Sequence, residues 1–358
     1  MLIGFRILQG IGAAANYCVG AAILTSAYPS NEMGKVLGIN VAAVYLGHSL
    51  GPFIGGYLTQ HYGWRSIFLI SVFLGLIVNL LIVLKMKGEW REAKEEKFDL
   101  AGSILYSVTL LFIMYGFTQL STRLGLWLIL LGGLGIFIFM KWEIKVKSPV
   151  LDINLFKKNR VFAFSNLAAM INYSATYATT FLLSLYLQYI KGLSPETAGL
   201  VLICLPAIQS SFSTITGKLS DRIEPQIVAS MGMSLITVGL FLFVFLTEKT
   251  SIGFIMINLV LLGIGYALFI SPNIKAVMSS VENKLLGVAS GTHGTMRANG
   301  MIFSMGITIL VFSMYLGSVQ ITPDYYPLFL KCIRILFILF TGLCLGGMIV
   351  SLAGRKVR

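Results

Sequence analysis

Residues 38–56 read GINVAAVYLGHSLGPFIGG, with Gly38, Gly47, Gly51, Gly55 and Gly56 around a single Pro52. They lie in an apolar run over 37–59. At about 1.5 Å per residue such a run spans the roughly 30 Å hydrocarbon core of a bilayer. Gly47, Gly51 and Gly55 recur every fourth residue, so they share one helix face. A glycine face lets a second helix approach backbone to backbone. Pro52 removes a backbone donor and bends the helix, which a membrane bundle tolerates when neighbours satisfy the freed carbonyl. A lone G-x3-G most often marks ordinary helix packing. The full G-x8-G-x3-G-P-x2-G-G string is far more specific.

The rest of the chain is of the same kind. Of its 358 residues, 56% are hydrophobic and 11% charged, against about a quarter charged in a soluble domain. This composition predicts an all-α polytopic membrane protein. Eleven apolar runs are long enough to cross: 2–27, 37–59, 66–86, 99–120, 124–141, 161–190, 194–217, 226–247, 251–272, 286–316 and 327–352. Cys18, Cys204, Cys332 and Cys344 fall inside these runs, at spacings that suit neither a metal site nor a disulfide framework. No phosphate loop, zinc spacing or nucleophile–base arrangement appears, so an enzyme, a metal site, a cofactor and an ATP-driven pump are all disfavoured.

The net charge of +13 could suggest a nucleic-acid partner, but its distribution points to membrane orientation instead. One set of alternate loops, with Lys141 at its border, holds 19 Lys and Arg, and the other set holds four. By the positive-inside rule the first set, which includes 28–36, 218–225 and the C-terminus, is cytoplasmic. The expected location is therefore the inner membrane, multi-pass, with the C-terminus inside. An odd number of crossings places the N-terminus outside, yet no signal-peptide pattern delivers it there. The expectation is that the chain starts partway through a longer protein.

Internal repetition supports this. Gly10, Gly12, Gly34, Gly38 and Gly47 recur as Gly263, Gly265, Gly287, Gly291 and Gly300, each 253 residues on, and Ile11 and Ala14 recur as Ile264 and Ala267. The first two runs thus pair with the ninth and tenth. The short hairpin 99–120 and 124–141 is the simplest insertion between two halves. The expected division is 1–98, the remainder of an N-terminal bundle; 99–141, an extra hairpin; and 142–358, a C-terminal six-helix bundle.

Several stretches resemble one family. Arg6-Ile-Leu-Gln9-Gly10-Ile-Gly12-Ala-Ala is similar to an R-x-x-Q-G-x-G-A-A fourth-helix motif. The 38–56 string followed by Gly63-Trp64-Arg65 resembles the antiporter motif. Tyr186-Leu-Gln188 through Pro206, Gly217-Lys-Leu-Ser-Asp221-Arg222 and Ser271-Pro272-Asn273 resemble second-half motifs. Together they resemble the fourteen-helix drug:proton antiporters, the EmrB/QacA-like branch of the major facilitator superfamily, with this chain as helices four to fourteen. The resemblance implies proton-coupled efflux of hydrophobic or amphipathic drugs or metabolites by alternating access. Its partners would be the bilayer, protons and a hydrophobic small molecule; a periplasmic adaptor is left undetermined. A non-transporting remnant and a lipid or siderophore exporter are the competing expectations.

The fourteen acids all fall in loops or at helix ends, and the family's proton-linked acids lie in helices that precede Arg6. Arg6, with Gln9 and Gly10, is the expected proton-coupling element, since an intramembrane cation is costly and normally faces a cavity or an acid. Snorkelling to the interface is the plain alternative. Arg297 lies deeper in its helix, with function and structure equally supported. His48 could titrate near neutral pH, although a lone membrane His is more often a hydrogen-bonded packing residue. Asp221 and Arg222 are the expected gate, by salt bridges and helix-end contacts; a solvated turn is the bland reading. The resemblance places Asn16, Tyr17, Asn166, Tyr173, Tyr177, Asn258 and Tyr266 at the substrate cavity. Amides and phenols in an apolar cavity suit bulky amphipathic compounds, cations included. Interhelical hydrogen bonding explains any one of these residues as well.

Overall fold

The structure, a computed structural model, describes residues 2–85, 99–119, 122–146, 149–151, 153–317 and 321–354. The side chains of Arg6 and Tyr17, the Pro52–Gly56 pair, the predicted Arg91–Glu95 pairing in loop 87–98 and the basic tail 355–358 lie outside the described residues. The chain is helical, with no strand among the described residues. The helices are α1 (Leu2–Ala27), α2 (Met33–Tyr62), α3 (Arg65–Lys85), α4 (Leu100–Thr118), α5 (Arg123–Glu143), the short α6 (Ile153–Lys158), α7 (Arg160–Leu185), α8 (Pro195–Leu202), α9 (Cys204–Arg222), α10 (Pro225–Phe243), α11 (Ile252–Met278), α12 (Leu286–Tyr315) and α13 (Tyr326–Ala353).

Nine helical stretches among the described residues are long and apolar enough to cross a membrane, α8 and α9 counting together. The two other long helices are α2, with 30 residues, and α7, with 26. They complete the expected set but are more polar. α2 carries Asn40, His48 and Gln60, and α7 carries Asn166, Asn172, Thr176 and Thr179. The same two helices contribute Gly34, Tyr45 and Tyr173 to the candidate site.

Two differences from the sequence expectation fall at prolines. The run over 194–217 is two helical pieces that meet at Ile203. Pro206 has no N–H to offer the Leu202 carbonyl, so the ladder breaks there. Conversely, α11 does not stop at Pro272 but continues to Met278. That moves Lys275 from an expected loop into a buried helical position.

α7 to α13 form the packed body. α7 lies against α12 and α13, α10 against α11 and α13, and α9 against α11. Its core is built on Met233, Phe243, Leu336, Phe337 and Phe340. α4 and α5 make a hairpin capped by Asp99, which accepts from the Gly102 N–H and the Trp142 indole at 2.9 Å each. The hairpin leans on α12 through Phe117 and Phe303, and the Asn299 amide donates to the Tyr106 hydroxyl at 3.1 Å. α1 packs on α12, and α2 packs on α9 and α11. α3, rich in Leu, Ile, Val and Phe, buries none of its described residues.

Candidate functional site

α9 runs antiparallel to α2, so the last turn of α9 meets the first turn of α2. The first N–H groups of any helix lack intrahelical partners and carry the positive end of its dipole. Here Asp221 supplies the missing acceptors from another helix. Its Oδ1 accepts from the Gly34 N–H at 2.8 Å and its Oδ2 from the Lys35 N–H at 2.9 Å. Lys275 of α11 holds the same carboxylate, with Nζ 2.5 Å from Oδ1, and also donates to the Ser220 carbonyl at 2.7 Å. One acid thus ties three helices. Arg222, expected as its companion, is exposed; Lys275 takes that role.

This junction needs glycine. A side chain on Gly217 would run into the Gly34 carbonyl, and one on Gly38 would stand 2.5 Å from the Ser213 carbonyl oxygen. Beneath the junction, Met33 and Leu37 of α2 are buried among Phe162, Val277, Met278, Leu286 and Ala289. The Asp221 end of the seam is therefore closed by a charged latch and an apolar plug.

The seam continues to the middle of both helices. Ser210 Oγ donates to the Ala42 carbonyl at 2.7 Å, and the Tyr45 phenol approaches Gln209. Beyond that point it parts. Among the described residues, no atom of another element stands within 4 Å of where a Cβ would sit on Gly47, Gly51 or Gly55. The glycines that receive a second backbone are Gly34 and Gly38, at the other end of α2.

Where the seam parts, a polar cluster gathers from five helices. Tyr45 of α2 lies by Gln209 of α9 and near Tyr173 of α7, Tyr266 of α11 and Arg297 of α12. The Arg297 guanidinium carbon stands 5.2 Å over the Tyr173 ring, a cation–π contact. Tyr266 faces Thr176 and Thr179 of α7. Gln209 is fully buried, with the Tyr45 phenol against its amide.

The remaining expected residues are dispersed. Asn166 is buried one turn from Phe162, donating to its carbonyl at 3.0 Å. Asn258 donates to the Gly239 carbonyl at 2.9 Å, clamping α11 to α10. Asn16 and Tyr177 are exposed. His48 is exposed, and its Nδ1 pairs with the Val44 carbonyl of its own helix at 2.9 Å. His293 is buried, with Nε2 3.2 Å from Asn273 Oδ1. Gln9 and Gly10 lie on α1, where no neighbouring element stands within 4 Å of a Gly10 Cβ position. Tyr173, Tyr266 and Arg297 do come together.

Tyr45, Gln209, Lys275 and Gly34 enter the site without having been singled out in the sequence. No distinct signal marks Gln209, which is followed by Ser210, Ser211, Ser213, Thr214 and Thr216 in the same run. Gly34 was visible only as a member of the 253-residue repeat.

Comparison with known proteins fits this geometry. The riboflavin transporter RibZ of Clostridioides difficile is 32% identical over 307 residues, 85% of this chain and 66% of that protein. The multidrug resistance protein Stp of Mycobacterium tuberculosis is 28% identical over 322 residues, 87% of this chain and 59% of that protein. The chain therefore spans about six-tenths to two-thirds of the length of these relatives. The crystal structure of the human organic anion transporter MFSD10 superposes with a TM-score of 0.61 over 94% of this chain and 67% of that one, at 13% identity, a likeness of fold alone. The model of the Major Facilitator Superfamily matches residues 1–305 and again 165–357, the two overlapping matches expected of a chain with an internal repeat. With this match over most of its length, and eleven long helices among the described residues, this chain belongs to the Major Facilitator Superfamily.

Proposed function

We propose that the protein works in proton-coupled export of hydrophobic or amphipathic small molecules across the cytoplasmic membrane, by alternating access between two helix bundles. The observation that carries this reading is the α2–α9 seam, latched at Asp221 and parted beyond Tyr45, with a polar cluster where it parts. A site closed to one side and approachable from the other is what alternating access requires. The loop charges support a cytoplasmic Asp221 end and an inside C-terminus. The cluster then opens outward, and release of the latch exposes it inward. The antiporter string, together with relatives named for multidrug resistance and riboflavin transport, supports a small-molecule cargo. The resemblance to the EmrB/QacA-like, fourteen-helix branch supports proton coupling through Arg6, Gln9 and Gly10. Among the described residues every acid lies at a helix end or outside the helices, so the proton is not assigned to any of them.

The test is dye efflux from everted membrane vesicles that contain the protein. Collapse of the pH gradient should abolish efflux, and efflux indifferent to the gradient contradicts the coupling. A second reading, that the chain alone transports nothing, draws on its covering only 59–66% of these relatives. Absence of efflux from vesicles with well-inserted protein, restored when sequence encoded upstream of Met1 is included, would favour it.

A further inference from the structure

We propose that α6, with its two exposed lysines, is a docking site for the headgroup phosphate of an anionic phospholipid. The inference goes beyond the transport reading and requires only that the chain sits in a bilayer. α6 has six residues, Ile153-Asn-Leu-Phe-Lys-Lys158, too few to cross. It lies between α5 and α7, and α7 begins at Arg160, two residues after α6 ends. Lys157 and Lys158 therefore stand within a turn of the start of a long helix, the level at which headgroups sit.

This short element has an inner and an outer set of residues. Leu155 and Phe156 pack on the apolar plug, and the Phe156 ring meets Phe162 edge-on at 5.0 Å between centroids. Asn159 pins the junction with α7. Its Nδ2 donates to the Ser280 carbonyl at 2.6 Å, and its Oδ1 accepts from the Phe162 N–H at 3.0 Å. Lys157 and Lys158 are exposed and make no ion pair among the described residues. Arg160 is exposed as well, but its Nε already donates to the Ala353 carbonyl at 2.9 Å.

Charge and apolar exposure together identify the occupant. Residues 141–160 hold six Lys and Arg and two acids. One acid, Glu143, is buried and accepts from the Leu151 N–H at 2.7 Å; the other, Asp152, lies outside the described residues. Trp142 and Ile144, where this segment leaves α5, are exposed, and Trp favours the headgroup level. A phospholipid meets both features, its phosphate at the ammonium groups and its chains at the apolar edge. A soluble acidic partner would leave that edge in water. An interfacial element of this kind is held by buried apolar area plus attraction to anionic headgroups. An occupied site holds α6 on the plug that seals the Asp221 junction.

The experiment is hydrogen–deuterium exchange of the purified full chain in nanodiscs of phosphatidylcholine, with and without about one-third phosphatidylglycerol. Exchange over 153–161 should be about fivefold slower in the anionic discs. The double variant Lys157→Gln, Lys158→Gln should erase that difference and leave exchange in neutral discs unchanged. Lys157→Arg with Lys158→Arg should keep the difference. Lys218→Gln, at an exposed position near the end of α9, should also keep it. Equal exchange in the two lipids, or protection that survives the double Gln variant, overturns the proposal. So does an equal loss with Lys218→Gln, which would reduce the effect to general attraction. Protection by millimolar inorganic phosphate in neutral discs overturns it too, since the site would then take a free anion. If the double Gln variant does not fold, the wild type and the two single variants decide. Exchange needs neither gradient nor cargo, so this test and the vesicle assay fail independently.

Discussion

The two ends of α2 are built from the same residue type and do opposite things. At its start, Gly34 and Gly38 let α9 come so close that a Cβ on either would strike backbone. Farther along, Gly47, Gly51 and Gly55 meet no other element among the described residues. The difference lies in what faces each glycine. The start faces Gly217, with Asp221 and Lys275 behind it, and an apolar plug seals the junction. A small residue is permission for close approach, and a partner with complementary charge turns permission into contact.

Substitutions can break this contrast, beginning with the most severe. Gly217→Leu puts a side chain where the Gly34 carbonyl stands and should cost the closed arrangement about 3 kcal/mol. A sharply lower melting temperature in nanodiscs, with efflux lost, is the expected result; unchanged melting would mean that α2 and α9 are not in backbone contact. Leu37→Ala empties part of the plug and should cost about 2 kcal/mol, read by the same melt. Asp221→Asn removes the charge that holds Lys275 and the α2 terminus, for about 1–2 kcal/mol. Its mark should be a higher rate of cysteine modification at the Asp221 end rather than a loss of fold. Asn258→Leu, away from both ends, serves as a control for ordinary interhelical bonding and should lower stability by about 0.6 kcal/mol. Gly51→Ala fills open space and should leave stability within about 0.5 kcal/mol of wild type. If Gly51→Ala instead stabilises the fold while slowing efflux, the open end has to close against a partner during the cycle, which sharpens the contrast.

Much of the architecture was legible in the sequence. Helix positions follow from apolar length, and α1, α12 and α13 end within a residue or two of expectation. The Asp221 junction was legible in part. Asp221 stands out because Gly217-Lys-Leu-Ser-Asp221-Arg222 resembles a second-half motif of the family. Its partner did not stand out, because Pro272 reads as a stop. A proline inside a packed membrane helix can be carried by its neighbours, and α11 continues for another turn and a half to bury Lys275. The Gly34–Gly217 contact was not legible for a related reason. Spacing says which glycines share a face, whereas which of them receives a second backbone depends on where α9 ends. Gln209 was overlooked because a search for proton carriers looks for charge, and an amide has none. Asn258 shows the converse: a polar residue at a plausible cavity position whose bond goes to the Gly239 carbonyl instead.

Distances across the α2–α9 seam test the latch most directly. On a background with the native cysteines replaced, spin labels would be attached at Glu32→Cys and Arg222→Cys for the Asp221 end, and at Tyr57→Cys and Leu200→Cys for the parted end, all four being exposed positions. In lipid, the first pair should report a single short distance. Asp221→Asn should add a longer population there while the second pair shortens. A first pair already broad in the presence of Asp221, or two pairs that lengthen and shorten together, would contradict a latch that closes one end of the seam as the other opens.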